Sequence, residues 1–379
     1  MKIYSLCILA TFLLLASCQG KQEKSKDLNF NKTGKTDNIF YAQGFTIEKQ
    51  TDYTLVHITN PWNRDKILQS YILVPKANKL PESLPNGTLI RTPIDRTVTF
   101  SSVVCGTLAE LDVLSSLVGV GEPQYIDIPY IQQSLAEGKI VDVGQAANPN
   151  MERLLLIEPE VVFASPIKDA AYGQTAKLNV PVIECVDYME PTPLGQTEWI
   201  RFIGLLFDKG TLADSLFQVT ADSYNHLKQL TETVTSRPTV FTEKMYSGIW
   251  YLPGGKSYVA HLFHDAGADY LWKEDTNSGS VGFSFETVLN KAEKADFWLI
   301  KYNSAREMTY KELAEDNPNY TLFDAFKQKN IYTCNAEKVP YYKELPIHPD
   351  YVLKDLIWIF HPELVPEHKP RYYSRVKSS

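Results

Sequence analysis

Leu212-Ala213-Asp214-Ser215-Leu216-Phe217-Gln218-Val219-Thr220-Ala221-Asp222-Ser223-Tyr224-Asn225-His226-Leu227-Lys228-Gln229-Leu230-Thr231-Glu232-Thr233-Val234 is the stretch on which the fold turns. Apolar residues return every three or four positions, and neither proline nor glycine interrupts the run. The spacing predicts a helix of about 35 Å at 1.5 Å per residue. A shorter helical stretch, Thr197 to Phe207, precedes it across a break at Gly210. On the N-terminal side, short β-branched runs alternate with helical ones: Thr97–Phe100, Val118–Gly121, Ile140–Val143, Val161–Ala164 and Val180–Ile183 read as strands, and Gly106–Leu117 as a helix. The same rhythm returns after Arg237, with strands at Thr239–Thr242, Phe297–Ile300 and Ile331–Thr333, and helices at Tyr258–Ala266, Phe285–Ala292 and Tyr351–Phe360. Such alternation implies doubly wound α/β lobes with largely parallel sheets. The expected fold class is therefore α/β, two doubly wound lobes joined by a long bridging α-helix, with a ligand cleft between the lobes.

Further outward, Phe45, Ile47, Leu55, Val56 and Ile58 alternate with polar residues as in a hairpin, and Tyr71–Val74 reads as another strand. Residues 19–37 are mostly polar and suit a flexible tether. Before them, Lys2, the apolar run Leu6–Ala16 and Leu15-Ala16-Ser17-Cys18 have the form of a lipoprotein signal. The run is too short for a membrane span, which needs about 20 residues. Small residues before a cysteine are what a lipoprotein signal peptidase accepts, so Cys18 is expected to carry the lipid. The expected organisation is a signal peptide at 1–17, a tether at 18–37, an N-terminal extension and first lobe at 38–196, a bridging helical segment at 197–235 and a second lobe at 236–379. The expected location is the cell envelope, on the periplasmic face, with the membrane reached through the lipid alone.

The 379 residues carry 38 Lys+Arg against 45 Asp+Glu, a net charge of −7, with no basic block. That excludes a nucleic-acid binder, which neutralises phosphates with clustered cations. Aromatic residues make up 12%, including 22 tyrosines, amphipathic groups that can grip a bulky ligand or fill a core. Beyond the leader three cysteines remain, Cys105, Cys185 and Cys334, so at least one thiol is unpaired.

Gly254-Gly255-Lys256-Ser257 suggests a phosphate loop, but a Walker A motif needs glycine where Trp250 stands. What remains is Trp250-Tyr251 in a glycine-rich loop after the first strand of the second lobe, where α/β folds place their ligand crevice. Both are assigned to a ligand wall, the core being the alternative. By loop position alone, Ser101 and Ser102 after the first strand, Tyr125 after the second, and Arg306 in the second lobe are further candidates. Arg306 could pair with a ligand oxygen or stand as a solvated arginine. His261 and His264 share a helix face but lack a third ligand, so no metal site is assigned. No hydrolase elbow, zinc-protease motif or dinucleotide fingerprint occurs, and neither a cofactor nor an enzymatic activity is expected.

One series of motifs carries a family resemblance. It comprises Val143-Gly144, Asn148-Pro149-Asn150-Met151-Glu152, Leu154-Leu155-Leu156 and Glu158-Pro159-Glu160-Val161-Val162 in the first lobe. In the second it comprises Arg237-Pro238-Thr239-Val240, Gly254-Gly255, Ala266-Gly267-Ala268, Phe285-Glu286-Thr287-Val288-Leu289, Ala295-Asp296 and His361-Pro362-Glu363. Over about residues 94–364 the chain resembles the helix-bridged (type III) periplasmic binding proteins that serve ABC importers of iron complexes, haem and cobalamin. Residues 38–93 resemble the N-terminal extension of longer, lipoprotein-type members. The resemblance implies a carrier of a metal chelate, a ferric siderophore or corrinoid before haem, and an ABC permease as partner. It also implies that Glu152 and Glu286, one on each lobe tip, meet arginines of that permease. Each is also a first-turn acid favoured by its helix dipole. The rival reading is an envelope hydrolase or chelate-modifying enzyme on the same scaffold.

If Cys18 carries the lipid, Cys18→Ala will leave a soluble or uncleaved precursor while Cys105→Ala partitions with membranes as the wild type does. Detergent fractionation reads this, and equal partition of the Cys18 variant and wild type would refute the anchor.

Overall fold

The strand runs on either side of the long helix assemble into two separate sheets. In the computed structural model, residues 35–166 and 180–377 are described. The signal peptide, Cys18 and most of the tether lie outside them. The first-lobe sheet has the order Val182–Glu184, Val161–Ala164, Thr97–Thr99, Leu117–Val120, Val141–Asp142, every neighbour pair parallel. Its central strands are buried along their whole length, as expected of a parallel sheet covered on both faces. The second-lobe sheet has the order Asp269–Tyr270, Thr239–Thr242, Phe297–Tyr302, Ile331–Asn335, Tyr373–Arg375, with only the last pair antiparallel. The first helix falls at Ser102–Glu110 rather than Gly106–Leu117, because Ser101 caps it directly at the end of its strand.

The bridging helix runs from Gly210 to Thr231, 22 residues or about 33 Å. Its buried residues, Ala213, Phe217, Thr220, Ala221, Tyr224, Leu227 and Thr231, recur at helical spacing and form one stripe. That stripe packs on the Trp199–Leu206 helix at one end and on Pro349–Phe360 of the second lobe at the other. Polar contacts fasten the second-lobe end. The Tyr224 hydroxyl donates to Asp265 Oδ2 at 2.8 Å, Thr231 Oγ1 donates to the Asp265 carbonyl at 2.7 Å, and Ser223 Oγ donates to Asp350 Oδ2 at 2.7 Å. Thr231 thereby marks the end of the helix, short of Val234.

The extension forms a five-stranded sheet in sequence order: Lys35–Thr36, Phe45–Lys49, Thr54–Thr59, Ile67–Pro75 and Thr88–Thr92. Its inner face packs on the Trp199–Leu206 helix, with Phe45 and Trp199 ring centroids 5.1 Å apart and Tyr71 stacked on Phe202 at 5.8 Å. Two buried carboxylates then hold five successive backbone amides. Glu198, whose side chain has no exposed surface, accepts from the N–H groups of Phe40, Tyr41 and Ala42 at 3.0, 2.7 and 2.9 Å and pairs with Arg201 at 3.1 Å. Glu190 accepts from Gln43 and Gly44 at 2.9 and 2.8 Å and from Trp199 Nε1 at 2.9 Å. Tyr41 reaches the bridging helix itself, its hydroxyl accepting from Asn225 Nδ2 at 3.0 Å and its ring meeting Phe217 edge-on. The extension therefore buttresses the bridging helix against the first lobe.

Removing the buried Glu198 carboxylate leaves the amides of Phe40, Tyr41 and Ala42 without their acceptor, while Arg201 keeps Asp214 and the Asn38 carbonyl. Glu198→Ala is expected to cost about 3 kcal/mol or more in urea unfolding, and Glu198→Gln, which keeps one acceptor oxygen, clearly less. A cost for the alanine variant below about 0.5 kcal/mol, the scale of an ordinary surface substitution, would show that the extension is not fastened here.

Candidate functional site

A cavity of ≈ 810 Å³ opens at the carboxyl ends of Thr239–Thr242 and Phe297–Tyr302, the crevice edge of an open α/β sheet. The second lobe supplies Glu243 to Tyr246 from the first strand's end, Tyr251 from the next strand, Tyr258 from a helix first turn and Lys301 to Asn303 from the central strand. The short helix Tyr341–Glu344 adds Tyr342, and the first lobe adds Tyr188. Six tyrosines thus converge: Tyr188, Tyr246, Tyr251, Tyr258, Tyr302 and Tyr342.

The wall around Tyr251 corrects the sequence reading. Met245–Tyr246 and Ile249–Pro253 form a hairpin joined by Ser247 and Gly248, both at positive φ (49° and 83°), the conformation a two-residue hairpin turn demands. The segment after Gly248 is therefore a strand and not a loop, and neighbouring side chains point to opposite faces. Tyr251 is 45% exposed and lines the cavity, whereas Trp250 is 0% exposed. Trp250 Nε1 donates to the Thr242 carbonyl at 3.0 Å, and its ring lies among Phe241, Trp298, Tyr320 and Phe323. Trp250 braces the wall from behind and does not face a ligand. Gly254 and Gly255 are small for the same local reason: a Cβ on them would lie 2.2 Å from the Asn277 carbonyl oxygen and 2.4 Å from that of Lys273. They admit the loop that brings Ser278 and Ser280 to the cavity rim, and Ser257 caps the Tyr258–Asp265 helix.

At the floor Lys301 Nζ contacts the Glu243 carboxylate, their side chains 11% and 22% exposed. Burial alone would lower the Lys301 pKa, but the Glu243 charge above all, then Tyr341 and Tyr342 and last the hydrogen bond to Glu243, hold it above the ordinary lysine value. Burial raises the pKa of Tyr188, Tyr258, Tyr302 and Tyr342, so their hydroxyls stay protonated. Such a site offers hydroxyl donors and aromatic faces to a bulky guest.

Among the other sequence candidates, Arg306 is exposed and lines a side chamber of ≈ 350 Å³ that shares Lys244, Tyr302 and Asn303 with the main cavity. Ser101 Oγ accepts from the Val104 N–H as a helix cap and Ser102 opens that helix, while Tyr125 stands 73% exposed. None of these three is among the cavity-lining residues. Glu152 and Glu286 are exposed in the first turns of Met151–Leu156 and Phe285–Ala292, helices capped by Asn150 and Ser284. Each helix precedes a central strand of its own sheet, so the two glutamates hold equivalent places in the two lobes. Leu155 and Leu156 lie beside Glu152, 63% and 82% exposed. His261 Nδ1 turns back to the Ser257 carbonyl at 2.9 Å, and His264 Nδ1 faces Asp265 at 3.2 Å. Cys105, Cys185 and Cys334 are buried free thiols, with burial pushing Cys105 and Cys334 up to about 12.

Sequence reasoning missed the Glu243–Lys301 pair and five of the six tyrosines. A signal existed: both parallel strands end in charge, Thr242-Glu243-Lys244 and Ile300-Lys301-Tyr302, at the edge where the crevice must lie.

Residues 98–338 match a family described as periplasmic binding protein. The chain is 28% identical to an uncharacterized lipoprotein of Methanocaldococcus jannaschii, over 97% of this chain and 94% of that one, so the alignment must include residues 38–93. A second lipoprotein of that organism is 26% identical over 83% of this chain and 81% of its own. Similar solved structures include a periplasmic haem-binding protein from Pseudomonas aeruginosa, with a TM-score of 0.58 and 17% identity over 75% of this chain and 98% of that one. Another belongs to an ABC-type Fe3+-hydroxamate transport system from Saccharomonospora viridis, with a TM-score of 0.54 and 18% identity over 70% of this chain and 93% of that one. At these identities the likeness is one of fold.

The opposite faces of Trp250 and Tyr251 predict opposite consequences. Trp250→Ala is expected to cost about 3–5 kcal/mol in chemical unfolding, as for a fully buried large aromatic, and Tyr251→Ala about 1 kcal/mol or less. Equal losses would contradict the alternation on which the cavity wall is built.

Proposed function

The chain belongs to the helix-bridged periplasmic binding protein family, and from that premise we propose that it is the lipid-anchored substrate-binding component of an ABC importer for a metal chelate. The family is one of substrate-binding transport proteins and not of enzymes, which sets the hydrolase alternative aside. The observation that carries the proposal is the ≈ 810 Å³ cavity whose wall is six tyrosines drawn from both lobes. Its volume falls in the range of small-molecule sites, and aromatic faces bury a large guest at little entropic cost. A ferric siderophore or a corrinoid is the preferred guest, with haem third. The haem-binding and Fe3+-hydroxamate neighbours support an iron-bearing guest in general, through fold alone. The lipoprotein relatives support an anchor at Cys18. Among the described residues no helix is long and apolar enough to cross a membrane.

Delivery requires a surface that the permease can read. Glu152 and Glu286 are proposed as that surface because they are exposed at equivalent tips of the two lobes. Charges so placed suit registration of a partner more than raw affinity. Leu155 and Leu156 add an exposed apolar patch beside the first of them. The bridging helix, packed on both lobes, favours a small closure angle on loading.

Titration with ferric hydroxamate, ferric citrate, haemin and cyanocobalamin, read by calorimetry, tests the reading. At least one should saturate the protein at a single site, and Tyr251→Ala should weaken that binding by roughly 1 to 3 kcal/mol. The Glu152→Lys, Glu286→Lys double variant should bind the same chelate as the wild type does yet fail to support its uptake. Saturation by none of the four, or unimpaired uptake in the double variant, would remove the carrier role or the docking role respectively.

A further inference from the structure

The cations of the main cavity each have a carboxylate of their own. At the floor Lys301 meets Glu243. At the edge Lys244 Nζ lies 2.6 Å from Asp316 Oδ2. Arg306, in the adjoining chamber, is exposed where water and salt screen its charge.

Glu243 is not a loose counterion. Its φ of +64° is left-handed, a conformation unfavourable for a residue with a side chain and retained only where the surroundings enforce it. Both sides of its backbone are tied: its N–H donates to the Leu299 carbonyl at 2.8 Å, and its carbonyl accepts from Trp298 Nε1 at 2.6 Å. Parallel pairing of Thr239–Thr242 with Phe297–Tyr302 then sets Glu243 beside Lys301. What remains for a guest is uncharged: phenol hydroxyls, the serines of the rim and the Asn303 amide.

Building on the chelate-carrier reading, we propose that the cavity selects an electroneutral chelate, bulky and bearing carbonyl or amide oxygens at its periphery, and discriminates against polyanionic chelates. A polyanion would bring negative charge against Glu243 in a partly desolvated crevice. Its alternative is to draw Lys301 away and leave the Glu243 carboxylate unpaired. A ferric trihydroxamate avoids both costs, since three singly charged groups balance Fe3+. A ferric tris-catecholate keeps three negative charges.

The test compares ferrichrome, cyanocobalamin and ferric enterobactin on the full mature chain by calorimetry at two salt concentrations. A neutral probe, ferrichrome or cyanocobalamin, should bind at least about 100-fold more tightly than ferric enterobactin, a gap that like-charge juxtaposition can supply, and its affinity should be insensitive to salt. Glu243→Gln, which frees Lys301 while keeping side-chain shape, should narrow the gap by about tenfold or more. Tightest binding of ferric enterobactin by the wild type overturns this inference and leaves the carrier reading standing. Saturation by none of the probes overturns both. The wild-type ranking stands without the variant, and a folded Glu243→Gln protein with an unchanged ratio removes the Glu243–Lys301 pair as the source of selectivity.

Discussion

The packing of one helical stripe on two lobes is the constraint from which the rest of the molecule follows. Ala213 to Thr231 present a single buried face, so the preceding helix Trp199–Leu206, which carries the extension, and the second-lobe helix Pro349–Phe360 must lie along the same rod. Asp265 and Asp350 fasten one end through hydroxyl donors, and the extension fastens the other through Tyr41. A rod held at both ends leaves the crevice walls little freedom to separate. The short helix Tyr341–Glu344 strengthens that effect, because it lends Tyr342 to the cavity while Lys343 reaches Asp127 of the first lobe at 3.0 Å.

The N-terminal extension acquires a physical role in this frame. Five consecutive amides, from Phe40 to Gly44, are held by Glu198 and Glu190, and the sheet that follows covers Trp199 and Phe202. Burying two carboxylates is costly unless their hydrogen-bonding capacity is filled, and the folded extension fills it. The extension and the Trp199–Leu206 helix therefore stabilise each other.

The crevice divides its labour by strand alternation. Trp250 and Leu252 enter the aromatic core of the second lobe, while Tyr251 faces the cavity. Behind them Phe241, Trp298 and Phe323 stack around Trp250, so a rigid hydrophobic block supports a polar and aromatic surface. Rigidity behind the wall fixes Tyr251 in place, which lowers the ordering cost of any contact it makes.

By itself the sequence determined the elements and their order. The central strands lie within about two residues of their apolar runs, and the helix from Gly210 to Thr231 lies within about three of where uninterrupted spacing put it, because periodicity is a local property of the chain. The first-turn places of Glu152 and Glu286 were legible on the same ground. The cavity was not. Tyr188, Lys301 and Tyr342 are far apart in the chain, and only the meeting of two lobes makes them neighbours. Trp250 and Tyr251 were indistinguishable as adjacent aromatics until the Ser247-Gly248 turn defined a strand and its pleat sent one inward and the other outward. Whether a lysine is a free cation or half of a closed pair likewise depends on tertiary structure, because Glu243 and Lys301 become partners only when two parallel strands end side by side.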